Sequence, residues 1–183
     1  MGADDPVDIV AWSNGARASL DFALHHPERV RSVTAVEPAA WWLAGEERED
    51  VRAFTEFFAS VACRDLSEED LIRFLVDVGV APAQTPWRDL AGWPLWYSCR
   101  NALSWFTPES FATIRAGISD LAALDVPLLL FKGSSGAAHF ADTVDVIAAT
   151  VGGARAATLE GGHACHLQDA EGFVRQTLAH LAT

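Results

Sequence analysis

Two short runs, VDIVAW at 7–12 and VPLLLF at 126–131, are apolar at almost every position. A strand with one face in water alternates apolar and polar residues, whereas a strand apolar on both faces needs both covered. Two weaker runs of similar length, VRSVTAV at 30–36 and ARAATL at 154–159, carry polar interruptions. Helical patterns lie between the runs. Asn14 to His26 follows the first and stops at Pro27, and Phe140 to Val151 repeats apolar residues at helical spacing until Gly152-Gly153. Asp169 to Leu181 carries Phe173, Val174, Leu178 and Leu181. Strands alternating with helices specify an α/β fold: a parallel sheet of about four strands with right-handed crossovers.

The alternation breaks at Trp41. Residues 41–120 are helical in pattern and rich in aromatics, among them Phe54, Phe57, Phe58, Phe74, Trp87, Trp93, Trp96, Trp105, Phe106 and Phe111. Pro82, Pro86, Pro94 and Pro108 divide the segment into short helices. It reads as a helical cap inserted between the second and third strands, with 1–40 and 121–183 forming the core.

Charge limits the partners. Lysine and arginine total 13 against 25 aspartate and glutamate residues, a net charge of −12. A polyanion needs basic side chains to neutralise its phosphates, so nucleic acid is not an expected partner. Lys132 is the only lysine, and no polybasic patch is present for an anionic membrane. No apolar run approaches the roughly 18 residues of a spanning helix. The start, MGADDPVD, lacks the basic and apolar regions of a secretion signal. Cys63, Cys99 and Cys165 lack metal-ligand spacing and read as free thiols, so a cytoplasmic location is expected.

The sequence Ala11-Trp12-Ser13-Asn14-Gly15 joins the first strand to the first helix. A tight strand-to-helix turn of this kind can lift a serine hydroxyl out of the sheet, and small residues flank it where backbones pass closely. The helix start also offers the Asn14 N–H to a developing oxyanion. The alternative is an ordinary Ser-Asn-Gly turn capping a helix. A serine nucleophile needs a general base, most often histidine. Leu159-Glu160-Gly161-Gly162-His163 follows the last strand, and His163 stands at the strand end beside the glycine pair. His166 competes for the role. His25, His26, His139 and His180 read as helix-end or solvated positions.

These segments together resemble the α/β-hydrolase fold superfamily. AWSNGARASLDFALHHPERVRSVTAVEP, the cap-like insertion, VPLLLFKGSSG and ARAATLEGGHACHLQDAEGF carry the resemblance. It covers nearly the whole chain but only the second half of the family's fold, with the four strands similar to its fifth to eighth. The resemblance implies Ser13 as nucleophile and His163 as base. Most members place the acid after the seventh strand, where this chain has Gly133-Ser134-Ser135-Gly136 and no carboxylate. A second known location is the end of the sixth strand. Glu37 stands there, 24 residues beyond Ser13, as in the haloalkane dehalogenase branch. The alternative for Glu37 is a loop cap. Dehalogenases attack with an aspartate, so serine at position 13 suits acyl transfer instead.

The expected function is therefore a serine hydrolase acting on an ester or related acyl substrate with a small apolar part, without metal or cofactor. Trp12, Trp41 and Trp42 are expected near the floor of its pocket, and Cys165 as a small apolar filler. The alternative is a non-catalytic ligand-binding or interaction module built on part of the fold. In the family an HG-type loop supplies a second oxyanion N–H, and it has no counterpart here. An internal start within a longer hydrolase, a partner or second copy covering the Val7–Trp12 edge, and an inactive relative are the open readings. Association through that edge, as a homo-oligomer or with a partner chain, is the expectation.

Overall fold

A computed structural model describes residues 5–90, 92–107 and 115–182. Pro108 and Phe111 of the aromatic segment lie outside them. Four parallel strands, β1 (Val7–Trp12), β2 (Val30–Val36), β3 (Leu128–Gly133) and β4 (Arg155–Leu159), pair in the order β1-β2-β3-β4. Helix α1 (Asn14–His25) connects the first two strands. Between β2 and β3 the chain is helical, with α2 (Glu49–Val61), α3 (Glu68–Asp77), α4 (Trp93–Cys99), α5 (Ile118–Leu121) and intervening 3₁₀ turns. Helix α6 (Ala138–Thr150) joins β3 to β4, and α7 (Cys165–Gln168) and α8 (Ala170–Leu181) follow.

The strand ends are in step. Trp12 pairs with Val36, Val36 with Phe131, and Gly133 with Leu159. The residues that leave these strands therefore emerge along one rim. The Ser13 N–H still donates to Val36 O at 2.9 Å, and the Glu37 N–H to Phe131 O at 2.9 Å. Register alone thus sets Ser13 and Glu37 side by side although a whole helix separates them in sequence.

The third strand begins two residues later than the apolar run and ends two later. Pro127 has no N–H to give the ladder, although its carbonyl accepts from Val33 N at 2.9 Å. At the other end Lys132 and Gly133 still pair with Thr158 and Leu159, and Asp145 on α6 holds the Lys132 ammonium at 2.6 Å. Hydropathy alone stops at Phe131; the ladder does not.

Both faces of the sheet are covered, as the apolar strands require. Val33, Ala35, Leu128 and Leu130 pack with Ala16 and Leu20 of α1 and Val144 and Ile147 of α6. On the opposite face Val36, Leu129, Phe131 and Leu159 meet Cys165 and Phe173. Among the described residues β1 pairs on one side only, and Val7 and Val10 are exposed there. Val51, Phe54, Phe58 and Val61 form a buried stripe along α2 at helical spacing and pack with Trp41, Leu71, Leu75, Trp87 and Trp93. Phe140 and Ala164 belong to this same cluster and tie the inserted helices to the sheet end. No helix among the described residues is long and apolar enough to cross a membrane.

Candidate active site

Ser13 occupies the sharp turn between β1 and α1, at φ 55° and ψ −123°. A positive φ is uncommon for a residue with a side chain, and such strain persists only where surroundings impose it. Here the Ser13 carbonyl accepts from Arg17 N at 3.0 Å and Ala39 N at 3.1 Å, which locks the turn to both α1 and the loop after β2. Ala11 is accommodated without crowding, since a Cβ added at Gly15 would lie 3.9 Å from the Ala11 Cβ.

The hydroxyl faces His163, with Ser13 Oγ 2.9 Å from Nε2. On the other side of the ring, Nδ1 is 2.7 Å from Glu37 Oε2. Glu37 is fully buried at φ 40°, and its second oxygen accepts from the Gly133 N–H at 2.7 Å. Both side-chain oxygens are thus engaged, as a buried polar group requires. A side chain at Gly136 would press on the same carboxylate, its Cβ 3.3 Å from Oε1. The Gly-Ser-Ser-Gly loop that lacks an acid instead makes room for one arriving from β2 and supplies it with a donor.

The imidazole is clamped from several sides. Phe140 stacks on it with ring centroids 4.1 Å apart. The Trp12 indole N–H donates to His163 O at 2.7 Å, and the His163 N–H donates to Gly79 O at 3.2 Å. A Cβ at Gly162 would fall 1.7 Å from Gly79 O, and one at Gly133 would fall 2.4 Å from Gly162 O. Gly162 before the histidine therefore serves close backbone approach to Gly79 beyond the end of α3, and Gly161, at φ 109°, leaves room for the Gln168 side chain. Gln168 fixes the loop further, accepting from Gly162 N at 2.8 Å.

The competing histidine is directed elsewhere. His166 packs against Trp12 and Phe173, while His163 takes the place between Ser13 and Glu37. Cys165 is buried, and burial pushes its thiol up to about 12, which leaves it protonated and a poor nucleophile at neutral pH. His139 and His180 stand at helix ends, as the sequence suggests, but are buried rather than solvated. His139 fits among Phe54 and Phe140, where an imidazole substitutes for another aromatic ring, and a helix-end position in sequence carries no sign of that.

A cavity of about 80 Å³ opens beside Ser13 and Asn14, walled by Ala39, Trp41, Phe54, Phe58, Phe74, Leu103, Phe106 and Phe140. Of the tryptophans expected at its floor, Trp41 alone lines it. Trp12 is turned beneath His163 by its hydrogen bond to that residue's carbonyl. Trp42 points away, its N–H donating to Ala116 O at 3.1 Å, and lines a separate cavity. The sequence reading missed Phe140, which passes for an ordinary core position at a helix start, and the Gly133 N–H, which has no side chain to announce it. Among the described residues no group of three or more histidine, cysteine, aspartate or glutamate side chains is placed to hold a metal ion.

The buried histidines give the fold a pH dependence. Burial holds the His139 imidazole below its ordinary 6.5, with Asp50 Oδ2 at 3.5 Å offsetting part of the effect. Burial, then the nearby His163, lowers His166 in the same direction. Below about pH 6.5 the unfolded chain takes up protons that these folded sites refuse, so stability falls with falling pH, by up to about 1.4 kcal/mol per pH unit for each site. Above that value the contribution is complete and stability no longer changes from this source. Urea midpoints are expected to stay level from about pH 7 to 8 and to drop by about pH 5, with a shallower drop in His139→Phe. A midpoint that rises on acidification contradicts this.

Strand order, rim and turn define an α/β-hydrolase fold in part. No family model and no curated sequence matches the chain. Solved structures match it closely in shape. A hydrolase from Pseudomonas aeruginosa superposes with a TM-score of 0.72 at 20% identity, covering 98% of this chain and 66% of that one. A 2-hydroxy-6-oxo-6-phenylhexa-2,4-dienoate hydrolase from a Rhodococcus strain gives 0.70 at 15% identity, covering 98% and 65%. A carboxylesterase from Bacillus subtilis gives 0.69 at 18% identity, covering 98% and 61%. The chain thus spans less than two thirds of the length of these neighbours.

Proposed function

We propose that this chain carries the nucleophile, base and acid of a serine hydrolase that cleaves an ester or related acyl bond through an acyl-enzyme. The observation that carries the reading is the unbroken relay from Ser13 Oγ to His163 Nε2 at 2.9 Å and from His163 Nδ1 to Glu37 Oε2 at 2.7 Å. A carboxylate bound to Nδ1–H keeps the proton on that nitrogen and leaves Nε2 free to accept from the serine.

In this mechanism Ser13 Oγ attacks the substrate carbonyl carbon while its proton passes to His163 Nε2. Glu37 stabilises the resulting imidazolium. The carbonyl oxygen becomes an oxyanion facing the Asn14 N–H at the start of α1, where no earlier turn of helix competes for that donor. His163 returns the proton to the leaving alcohol as the carbon–oxygen bond breaks, and an acyl-Ser13 ester remains. Water then repeats the sequence, with His163 as base, and releases the acid. The aromatic cavity beside Ser13 suits an apolar acyl group.

The names of the structural neighbours, which include hydrolases and a carboxylesterase, favour the same chemistry over ligand binding alone. So does the strain at Ser13 and Glu37, which a binding module has no need to maintain. The test is release of p-nitrophenol from p-nitrophenyl butyrate by the purified chain. Saturable release above buffer is expected. Release no faster than from an equal amount of denatured chain overturns the reading.

A further inference from the structure

We propose that Trp41 sets the upper limit on acyl length at this site, so that short acyl groups are accepted and long ones refused. The inference rests on the serine-hydrolase reading above. Two cavities meet at this one side chain. The inner, of about 80 Å³, touches Ser13 and Asn14. The outer, of about 200 Å³, is lined by Trp42, Val51, Arg52, Thr55 and Glu56 together with Glu46 and Arg115. Trp41 lines both. Helix α2 supplies the rest of the partition, with Phe54 and Phe58 on the inner cavity and Arg52 and Thr55 on the outer.

The partition is held in place. The Trp41 ring lies parallel to Phe58 at 5.9 Å and edge-on to Phe54 at 4.9 Å and Trp42 at 5.6 Å. Only 3% of the residue is exposed. Swinging the indole aside breaks these contacts together, so the wall is closed in the resting state. An acyl chain that fills the inner cavity therefore meets an aromatic face, although space of more than twice the volume lies behind it. Removing the indole joins the two spaces and gives a long chain somewhere to go. The outer cavity still offers it Trp42 and Val51 as apolar surface.

The experiment compares kcat/KM for p-nitrophenyl butyrate and octanoate in the wild type, Trp41→Ala, Trp41→Leu and the double variant Trp41→Ala with Thr55→Phe. Thermal melts identify the variants that fold, and Trp41→Leu keeps the test available where the alanine variant does not. The wild type is expected to favour butyrate by about 100-fold or more, since a misfit of a few methylenes in an apolar pocket is worth that much. Trp41→Ala and Trp41→Leu should raise the octanoate-to-butyrate ratio at least about tenfold. The phenyl ring added by Thr55→Phe should bring the ratio back towards wild type, a reversal that general loosening of the fold does not produce. An unchanged ratio in folded, active variants overturns this inference alone. Absence of hydrolysis in every protein, wild type included, overturns the serine-hydrolase reading and this inference with it.

Discussion

Ser13→Ala is expected to lower kcat/KM for p-nitrophenyl butyrate by at least about 10⁴-fold, with the melting temperature little changed. The size follows from the role. Without Oγ there is no covalent intermediate, and His163 has no hydroxyl to activate; what remains is the modest help of the Asn14 N–H and of substrate binding. The small effect on stability follows from the backbone. Ser13 sits at φ 55° because the Ser13 carbonyl bonds to Arg17 N and Ala39 N, and alanine meets the same backbone cost. Among the described residues the hydroxyl bonds only to His163, in a half-buried setting, so its loss costs the fold little. A Ser13→Ala protein that keeps more than about a tenth of the wild-type rate is incompatible with Ser13 as nucleophile.

Glu37→Gln is expected to cost about 10³ to 10⁴ in kcat while leaving the fold intact. The two hydrogen bonds of the Glu37 side chain set this effect. Gly133 N–H is a donor aimed at one oxygen of the side chain, and His163 Nδ1 faces the other. A glutamine satisfies Gly133 with its carbonyl oxygen and then presents its NH₂ to His163. Nδ1 must accept, the ring proton moves to Nε2, and Nε2 can no longer take a proton from Ser13. Turning the amide over restores the histidine but sets NH₂ against the Gly133 N–H. The first arrangement keeps both buried bonds but removes the base, and the second gives up the bond to Gly133. If Glu37 merely caps the loop after β2, glutamine should leave kcat within about tenfold of wild type, because either oxygen-bearing side chain can hold Gly133.

Much of the scaffold could be read before any coordinates. The spans of β1 and β2 are marked by punctuation as well as hydropathy: Ser13-Asn14-Gly15 ends one, and Glu37-Pro38 ends the other. The start of α1 at Asn14 follows from the same turn. Placing Ser13 beside Glu37 needed only the register of parallel strands, which alternation of strand and helix implies, whereas His163 reaches them through the loop after β4 and its bond to Gly79. The details that escaped are those set by contacts between distant segments. The pair Gly161-Gly162 reads as flexible until Gln168 is seen against the first and Gly79 against the second. Trp12 and Trp42 read as pocket residues because aromatic character is visible in sequence and direction is not. Their indole N–H groups found backbone carbonyls, at His163 and Ala116, and those bonds turned both rings off the cavity. His139 and His180 read as solvated because a buried imidazole leaves no periodic signature.

The two glycines at Gly133 and Gly162 show how the site depends on backbone as much as on side chains. Gly133 carries the donor that holds Glu37, and its lack of a Cβ admits the carbonyl of Gly162. Gly162 in turn admits the carbonyl of Gly79, and the Gly79 carbonyl receives the His163 N–H. A chain of close backbone approaches therefore runs from Glu37, through His163, to the inserted helices that wall the cavity. His163 and the cavity wall are positioned by the same contacts.

The central claim, that Ser13 is a nucleophile activated by His163, is tested most directly by the site of a covalent adduct. The folded chain is treated with a fluorophosphonate and analysed by intact mass and peptide mapping. One adduct per chain, on Ser13, is expected, with labelling abolished in Ser13→Ala and strongly slowed in His163→Ala. A folded chain that takes up no label, or carries it on another residue, contradicts the account.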